Sequence, residues 1–90
     1  MTVRYDILDT RRGMRLLDLG CGAGRHTFAA QERGARVVSA DLDDVVLKDV
    51  RSMGQAVADA SGVEAPGCVV ADALALPFAD ASFDRVIASE

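Results

Sequence analysis

Cysteine, basic charge and long apolar runs are all scarce in this 90-residue sequence. The two cysteines, Cys21 and Cys68, lie far apart and form no Cys-x-x-Cys pair, so we expect free thiols and neither a zinc site nor a disulfide framework. No apolar run approaches the roughly 20 residues that cross a bilayer, and the N-terminal stretch lacks the apolar segment of a signal peptide. We therefore expect a cytoplasmic protein with no membrane partner.

The formal net charge is −4, and the basic residues form only short clusters. A protein that binds nucleic acid usually presents a basic face to the phosphates, so we expect no nucleic-acid partner. Half of the residues are hydrophobic, which is ample for a folded chain. The length allows one small domain with a modest core.

The first half of the sequence reads as strand, loop, helix and strand. A short apolar strand over residues 15–19 runs into the loop Gly-Cys-Gly-Ala-Gly at residues 20–24. Residues 25–33 favour a helix that ends at Gly34, and residues 35–40 form a second strand followed directly by Asp41.

The second half continues the alternation. Asp43 or Asp44 is predicted to cap a helix that ends near Gly62. The spacing of apolar residues predicts that its buried stripe consists of Val46, Val50, Met53 and Val57. A third strand over residues 68–71, an apolar loop over 73–82 and a fourth strand over 83–89 complete the prediction.

Strands that alternate with helices indicate an α/β fold, a Rossmann-like parallel sheet with helices on its faces. Ligands of such sheets bind beyond the carboxyl ends of the strands. Three carboxylates and three glycines fall at or near those ends: Asp18, Gly20, Gly22, Gly24, Asp41 and Asp72.

These residue types favour a nucleoside that carries a positively charged group. Asp41 lies 21 positions after Gly20, where dinucleotide-binding folds place a carboxylate that accepts hydrogen bonds from ribose hydroxyls. Arg25 stands where a dinucleotide fingerprint requires a small residue. Asp18 would repel a pyrophosphate but attract an amino group, which favours the methionine part of S-adenosylmethionine.

Three segments then resemble successive motifs of class I S-adenosylmethionine-dependent methyltransferases, particularly the branch similar to quinone-biosynthesis methyltransferases. They are LLDLGCGAGRHT from Leu16, VVSADLD around Asp41, and DALALPFADASFDRVIASE from Asp72. The resemblance covers residues 14–90 and divides the chain into a lead-in, residues 1–13, and a partial cofactor-binding domain, residues 14–90.

The resemblance implies a role for each matched residue. The loop glycines lie under the methionine moiety, Asp18 near its amino group, Asp41 at the ribose, and Leu42 against the adenine. Asp72 accepts from the adenine amino group, the backbone of Ala73 meets the ring edge, and Ser89 begins the segment that flanks the methyl donor. Cys21 belongs to the same loop, and its side chain is expected to fill a small space there. The implied cofactor-binding set is therefore Asp18, Gly20, Cys21, Gly22, Gly24, Asp41, Leu42, Asp72, Ala73 and Ser89.

The resemblance also implies a sheet truncated to about four strands in the order 3-2-1-4, because family members continue beyond the fourth strand. We expect a fragment whose last strand exposes an edge for self-association or for a complementing chain.

Methyl transfer is a direct displacement that depends mainly on placing the reactants, so no catalytic residue and no metal site is assigned. His26 is interpreted as a surface residue. The predicted function is methyl transfer to a small-molecule acceptor of unknown identity. Two alternatives stay open: a catalytically silent module that binds S-adenosylmethionine or assembles with another chain, and, more weakly, an NAD-dependent oxidoreductase domain.

Overall fold

The fold is an open parallel sheet with two helices, seen in a computed structural model that describes residues 10–71 and 83–88. The elements are β1 (Arg15–Leu19), α1 (Arg25–Glu32), β2 (Arg36–Asp41), α2 (Asp44–Ser61), β3 (Gly67–Val70) and β4 (Arg85–Ala88). The predicted alternation of strands and helices is confirmed.

The four strands form one sheet in the order β3-β2-β1-β4, and all three pairings are parallel. Leu16 of β1 is paired with Val37 of β2 and with Arg85 of β4. This register aligns the carboxyl ends of the strands at a single edge of the sheet, as the Rossmann-like prediction requires.

Apolar side chains cover both faces of the sheet. On one face, Leu16, Val37 and Ile87 pack with Ala30 and Ala35. Alternate residues of the same strands point the other way, and they form a second cluster of Leu17, Leu19 and Ala40 with Val38, Val69, Ala71, Phe83, Val86 and Ala88. Burial on both faces explains why the strands read as continuous apolar runs rather than as alternating ones.

Capping residues set both ends of α2. The side chain of Asp43 accepts hydrogen bonds from the backbone N–H groups of Val45 and Val46, at 2.9 and 3.4 Å. At the other end, Gly62 adopts the left-handed conformation, with φ at 68°, and ends the helix. Both boundaries agree with those predicted for this helix.

The buried stripe of α2 agrees only in part with the predicted one, since Val50 is buried and Val46 is partly buried beside it. The structure buries Leu47, Val50 and Gly54, whereas Met53 is 56% exposed. The reason is the close approach of Pro66, since a Cβ atom on residue 54 would lie 2.5 Å from Pro66 Cδ. A contact this close with the Pro66 ring favours glycine, which the spacing of apolar residues does not reveal.

Candidate cofactor site

The site is built where β1 and β2 end side by side. Asp18 and Ser39 are register partners on these strands. The loop that follows β1 is tied to the end of β2, because the N–H groups of Gly20 and Cys21 both donate to the carbonyl oxygen of Ala40, at 2.8 and 3.2 Å. The glycine loop therefore starts from a fixed point at the carboxyl edge of the sheet.

Glycine serves a different structural purpose at two positions of this loop. Gly22 and Gly24 both have positive φ angles, 53° and 88°. A Cβ atom on Gly24 would lie 2.7 Å from the ring of Phe28, so glycine is required there for packing against α1. A Cβ atom on Gly22 would meet no atom of the described residues within 4 Å, so the backbone at Gly22 borders space, within this part of the chain, into which a ligand can fit.

Asp41 joins the end of β2 to the glycine loop. Its Oδ2 accepts a hydrogen bond from the backbone N–H of Gly22 at 3.1 Å, and its Oδ1 accepts from the N–H of Asp43 at 3.0 Å. These two bonds orient the carboxylate. An ionised carboxylate has about four acceptor positions, so capacity remains for two ligand hydroxyl groups.

Asp18 is fully buried at the end of β1. Its Oδ2 accepts a hydrogen bond from Thr27 Oγ1 at 2.7 Å, whereas no donor among the described residues bonds to Oδ1. Burial raises the pKa of this carboxyl, and the hydrogen bond from Thr27 and the nearby His26 act in the opposite direction. A buried acceptor atom without a donor is costly, and a positively charged ligand group would satisfy it.

Cys21 lies in the loop but turns into the core. It is buried against Leu47 and Val50 of α2. Burial, followed by the charges of Asp18 and Asp41, raises the pKa of its thiol to about 12. Cys21 is therefore a neutral packing residue near neutral pH, which agrees with the expectation that its side chain fills a small space.

Leu42 follows Asp41 directly and is 69% exposed. Val45 and Val70 are also exposed apolar residues, and Val70 is the register partner of Asp41. An exposed apolar side chain next to a carboxylate is the combination that a nucleoside needs, since the base is flat and apolar while the ribose carries hydroxyl groups.

The described residues thus fit S-adenosylmethionine on three counts: open space over Gly22, an oriented carboxylate at Asp41, and an unsatisfied buried oxygen at Asp18. Asp72, Ala73 and Ser89, the other residues predicted to bind the cofactor, lie outside the described residues.

Comparison with known proteins decides the family. A sequence profile for a methyltransferase domain matches residues 17–90. The chain belongs to this family. The cofactor that this family membership implies is S-adenosylmethionine.

Individual members of the methyltransferase family resemble the chain over most of its length. It is 40% identical over 86 residues to the ubiquinone/menaquinone biosynthesis C-methyltransferase UbiE of Paracoccus denitrificans, a match that covers 93% of this chain and 33% of that protein. A solved S-adenosylmethionine-dependent methyltransferase from Mesorhizobium loti superposes with a TM-score of 0.74 at 30% identity, covering 91% of this chain and 35% of that one. An arsenic(III) S-adenosylmethionine methyltransferase from Chlamydomonas reinhardtii gives a TM-score of 0.76 at 27% identity, with 88% and 29% covered. The chain spans about a third of the length of these relatives.

Two polar residues of this methyltransferase domain were not predicted from the sequence. Thr27 and Ser39 are fully buried, and their hydroxyl oxygens lie 2.7 Å apart beside Asp18. Ser39 carries a signal that could have identified it, since it is the only polar residue within the apolar run of β2. Thr27 was included in a motif but was given no role.

Several other groups lie away from this edge. Asp84 accepts a hydrogen bond from the backbone N–H of Arg15 at 2.8 Å and forms an ion pair with the guanidinium of Arg15 at 3.2 Å. This contact with Arg15 lowers the pKa of the Asp84 carboxyl. A pocket of about 520 Å³ lies nearby, lined by the first residues of three strands, Arg15, Arg36 and Gly67. Both features belong to the opposite end of the sheet.

His26 is half-buried in the first turn of α1, and its Nε2 lies 3.5 Å from Arg25 Nη2. Within residues 10–71 and 83–88, no cluster of three or more His, Cys, Asp or Glu side chains is arranged to hold a metal ion. Neither of the two described helices has the length and apolar composition that crossing a membrane requires.

Proposed function

We propose that this chain binds S-adenosylmethionine at the carboxyl ends of β1 and β2 and acts in methyl transfer to a small-molecule acceptor. The observation that carries the proposal is the buried Oδ1 atom of Asp18, which has no hydrogen-bond donor among the described residues. An ammonium group supplies both the charge and the hydrogen-bond donors that this atom lacks. A pyrophosphate supplies neither, which argues against an NAD-dependent oxidoreductase.

Each proposed contact follows from one group in the site. Asp18 receives the amino group of the methionine moiety, and the backbone beside Gly22 lies under that moiety. Asp41 accepts from the ribose hydroxyls, and Leu42 packs on the adenine. The resemblance adds Gly20 and Gly24 to the loop that holds the methionine part, and Asp72, Ala73 and Ser89 to the site.

When bound, S-adenosylmethionine supplies a methyl group on a sulfonium, which is transferred by direct displacement. The chain's own residues bind and orient the cofactor, and displacement of this kind depends mainly on alignment and exclusion of water. We assign no catalytic base. The relative from Paracoccus denitrificans is named as a quinone-biosynthesis C-methyltransferase, which supports a small organic acceptor.

Calorimetric titration of the 90-residue chain with S-adenosylhomocysteine and with NAD tests the proposal. We expect tighter binding of S-adenosylhomocysteine, and equal or tighter binding of NAD would reject the assignment. Asp41→Ala should weaken the binding of S-adenosylhomocysteine by about 1–3 kcal/mol, the range for lost hydrogen bonds to a charged group. Asp49→Ala is the matched control, because it removes the same charge from an exposed position of α2 and should leave the affinity unchanged.

A role in assembly is favoured by the position of β4. This strand lies at one end of the strand order and pairs, among the described strands, only with β1. An unpaired strand edge is a template for pairing with another chain. Sedimentation across a range of concentrations, with and without S-adenosylhomocysteine, tests this role, and a monomer at every concentration would exclude self-association.

A further inference from the structure

Three buried side chains from three elements meet at the end of β1. Asp18 and Ser39 are paired on adjacent strands, and Thr27 lies in the first turn of α1 above them. Thr27 Oγ1 is 2.7 Å from Asp18 Oδ2 and 2.7 Å from Ser39 Oγ. All three residues are fully buried, so water cannot replace these bonds.

The chemistry of the groups fixes the direction of both bonds. An ionised carboxylate only accepts, and a hydroxyl group has a single hydrogen to donate. Thr27 therefore donates to Asp18, and because its hydrogen is then used, Ser39 must donate to Thr27. If Asp18 were protonated on Oδ2, Asp18 could donate and both hydroxyl groups could turn round. The arrangement Ser39 to Thr27 to Asp18 therefore requires Oδ2 to be an unprotonated acceptor, as it is in the ionised carboxylate.

We propose that Thr27 and Ser39 are positioning residues that hold Asp18 as a carboxylate, with Oδ1 left open for the ammonium group of S-adenosylmethionine. The inference rests on the proposed function, and it assigns to this site two residues that do not themselves touch the cofactor. A buried threonine and serine satisfy Oδ2 from inside the protein, and the ligand then satisfies Oδ1.

The charged and titratable groups around Asp18 show why this support is needed. Burial raises the pKa of Asp18, and the negative charge of Asp41 at the end of β2 raises it further. The hydrogen bond from the Thr27 side chain is the largest influence that lowers the pKa, followed by the interaction with His26 on α1 and by a hydrogen bond from the backbone of Thr27, which Thr27→Val keeps. The thiol of Cys21 in the loop is neutral near neutral pH because its own pKa is raised to about 12. The hydroxyl group of Thr27 is therefore the largest single influence that opposes the effect of burial on Asp18 and favours its ionised form.

The test compares Thr27→Val and Ser39→Ala with the unchanged protein between pH 5 and 8, using two ligands. S-adenosylhomocysteine carries the ammonium group, whereas methylthioadenosine has the same adenosine without it. In the unchanged protein, affinity for S-adenosylhomocysteine should fall as the pH falls, because protonation of Asp18 removes its charge. In Thr27→Val this fall should begin at higher pH and leave affinity about tenfold weaker at the acidic end, as expected for one lost bond to a charged group.

Ser39→Ala should shift the profile in the same direction by a smaller amount, because Ser39 acts on Asp18 through Thr27. Thr27→Ser, which keeps the hydroxyl group, should restore the profile of the unchanged protein. Methylthioadenosine should bind with the same pH profile to every variant. Thr10→Val is the matched control, since Thr10 is also a buried threonine but its hydroxyl group has no hydrogen-bond partner among the described residues.

Equal losses for both ligands at all pH values would assign Thr27 a purely structural role and overturn the proposal. An unshifted profile in folded Thr27→Val would overturn it too. If Thr27→Val does not fold, Ser39→Ala decides by the same comparison. The ligand-free protein gives an independent readout, because the carbon resonance of the Asp18 carboxyl should titrate at higher pH in Thr27→Val than in the unchanged protein. This readout does not require ligand binding. If the unchanged protein binds no S-adenosylhomocysteine, that result rejects only the proposed function.

Discussion

At the scale of single residues, substitutions at Gly22 and Gly24 are expected to affect different properties, ligand binding at Gly22 and packing at Gly24. Both glycines have positive φ angles, which cost a side-chain-bearing residue about 1–2 kcal/mol. Gly24→Ala adds a clash with Phe28 and should destabilise the fold by about 2–4 kcal/mol in total. The methyl group of Gly22→Ala would contact no atom of residues 10–71 and 83–88, so its stability loss should stay near 1–2 kcal/mol while the methyl group obstructs the ligand. Urea unfolding and calorimetric titration measure the two effects.

Gly13 provides the control for the Gly22 prediction. It has a positive φ of 79°, and a Cβ atom on it would meet no described residue within 4 Å, but it precedes β1 and so lies at the other edge of the sheet. Gly13→Ala should match Gly22→Ala in stability and retain the affinity for S-adenosylhomocysteine. If both variants bind the ligand equally well, Gly22 does not border the cofactor.

At the scale of elements, the contact between α2 and β3 depends on Gly54. Alanine normally favours a helix over glycine by about 1 kcal/mol. Here its Cβ atom would lie 2.5 Å from the rigid ring of Pro66, and Gln31 Nε2 donates to the Gly54 carbonyl at 2.6 Å, so the helix cannot easily move away. We expect Gly54→Ala to destabilise the protein by about 1–3 kcal/mol in urea unfolding. Ser52→Ala, at an exposed position of the same helix, should be neutral or slightly stabilising.

The contact between α2 and Pro66 illustrates the difference between features that could be predicted from the sequence and features that could not. Strand, loop and cap positions follow from local chemistry, so β1, the cap at Asp43 and the end at Gly62 were predicted closely. The face that α2 buries was predicted correctly at Val50 but not at Met53, because Pro66 packs against the neighbouring Gly54 from a different part of the chain. The sequence singled out Asp18 and Asp41 as candidate site residues from their positions at or near the carboxyl ends of strands. The Thr27 and Ser39 bonds depend on three elements meeting, which no single segment specifies.

At the scale of the whole molecule, the buried charge of Asp18 makes stability depend on pH. Its pKa is raised above the ordinary value of 3.8, so the folded state binds a proton more readily than the unfolded chain. This group therefore costs stability as the pH rises from 3.8 through the raised folded value, and the full cost is present above that value. Asp84 acts in the opposite sense: its lowered pKa favours folding above 3.8, and this contribution is lost as the pH falls through the lower folded value.

Asp18→Asn separates the effect of Asp18 on the stability of the fold from its effect on ligand binding. The amide keeps the shape of the side chain and removes the buried charge, so we expect Tm at pH 7 to rise by about 4–8 °C, equivalent to about 1 kcal/mol in a domain of this size. The gain should shrink as the pH falls, because Asp18 of the unchanged protein becomes protonated. Affinity for S-adenosylhomocysteine should fall at the same time, since an amide has no charge to offer the ammonium group. Thermal unfolding from pH 4 to 8 measures the first effect and calorimetry the second. A variant that is less stable at neutral pH and binds the ligand normally would show that Asp18 serves the fold and not the site.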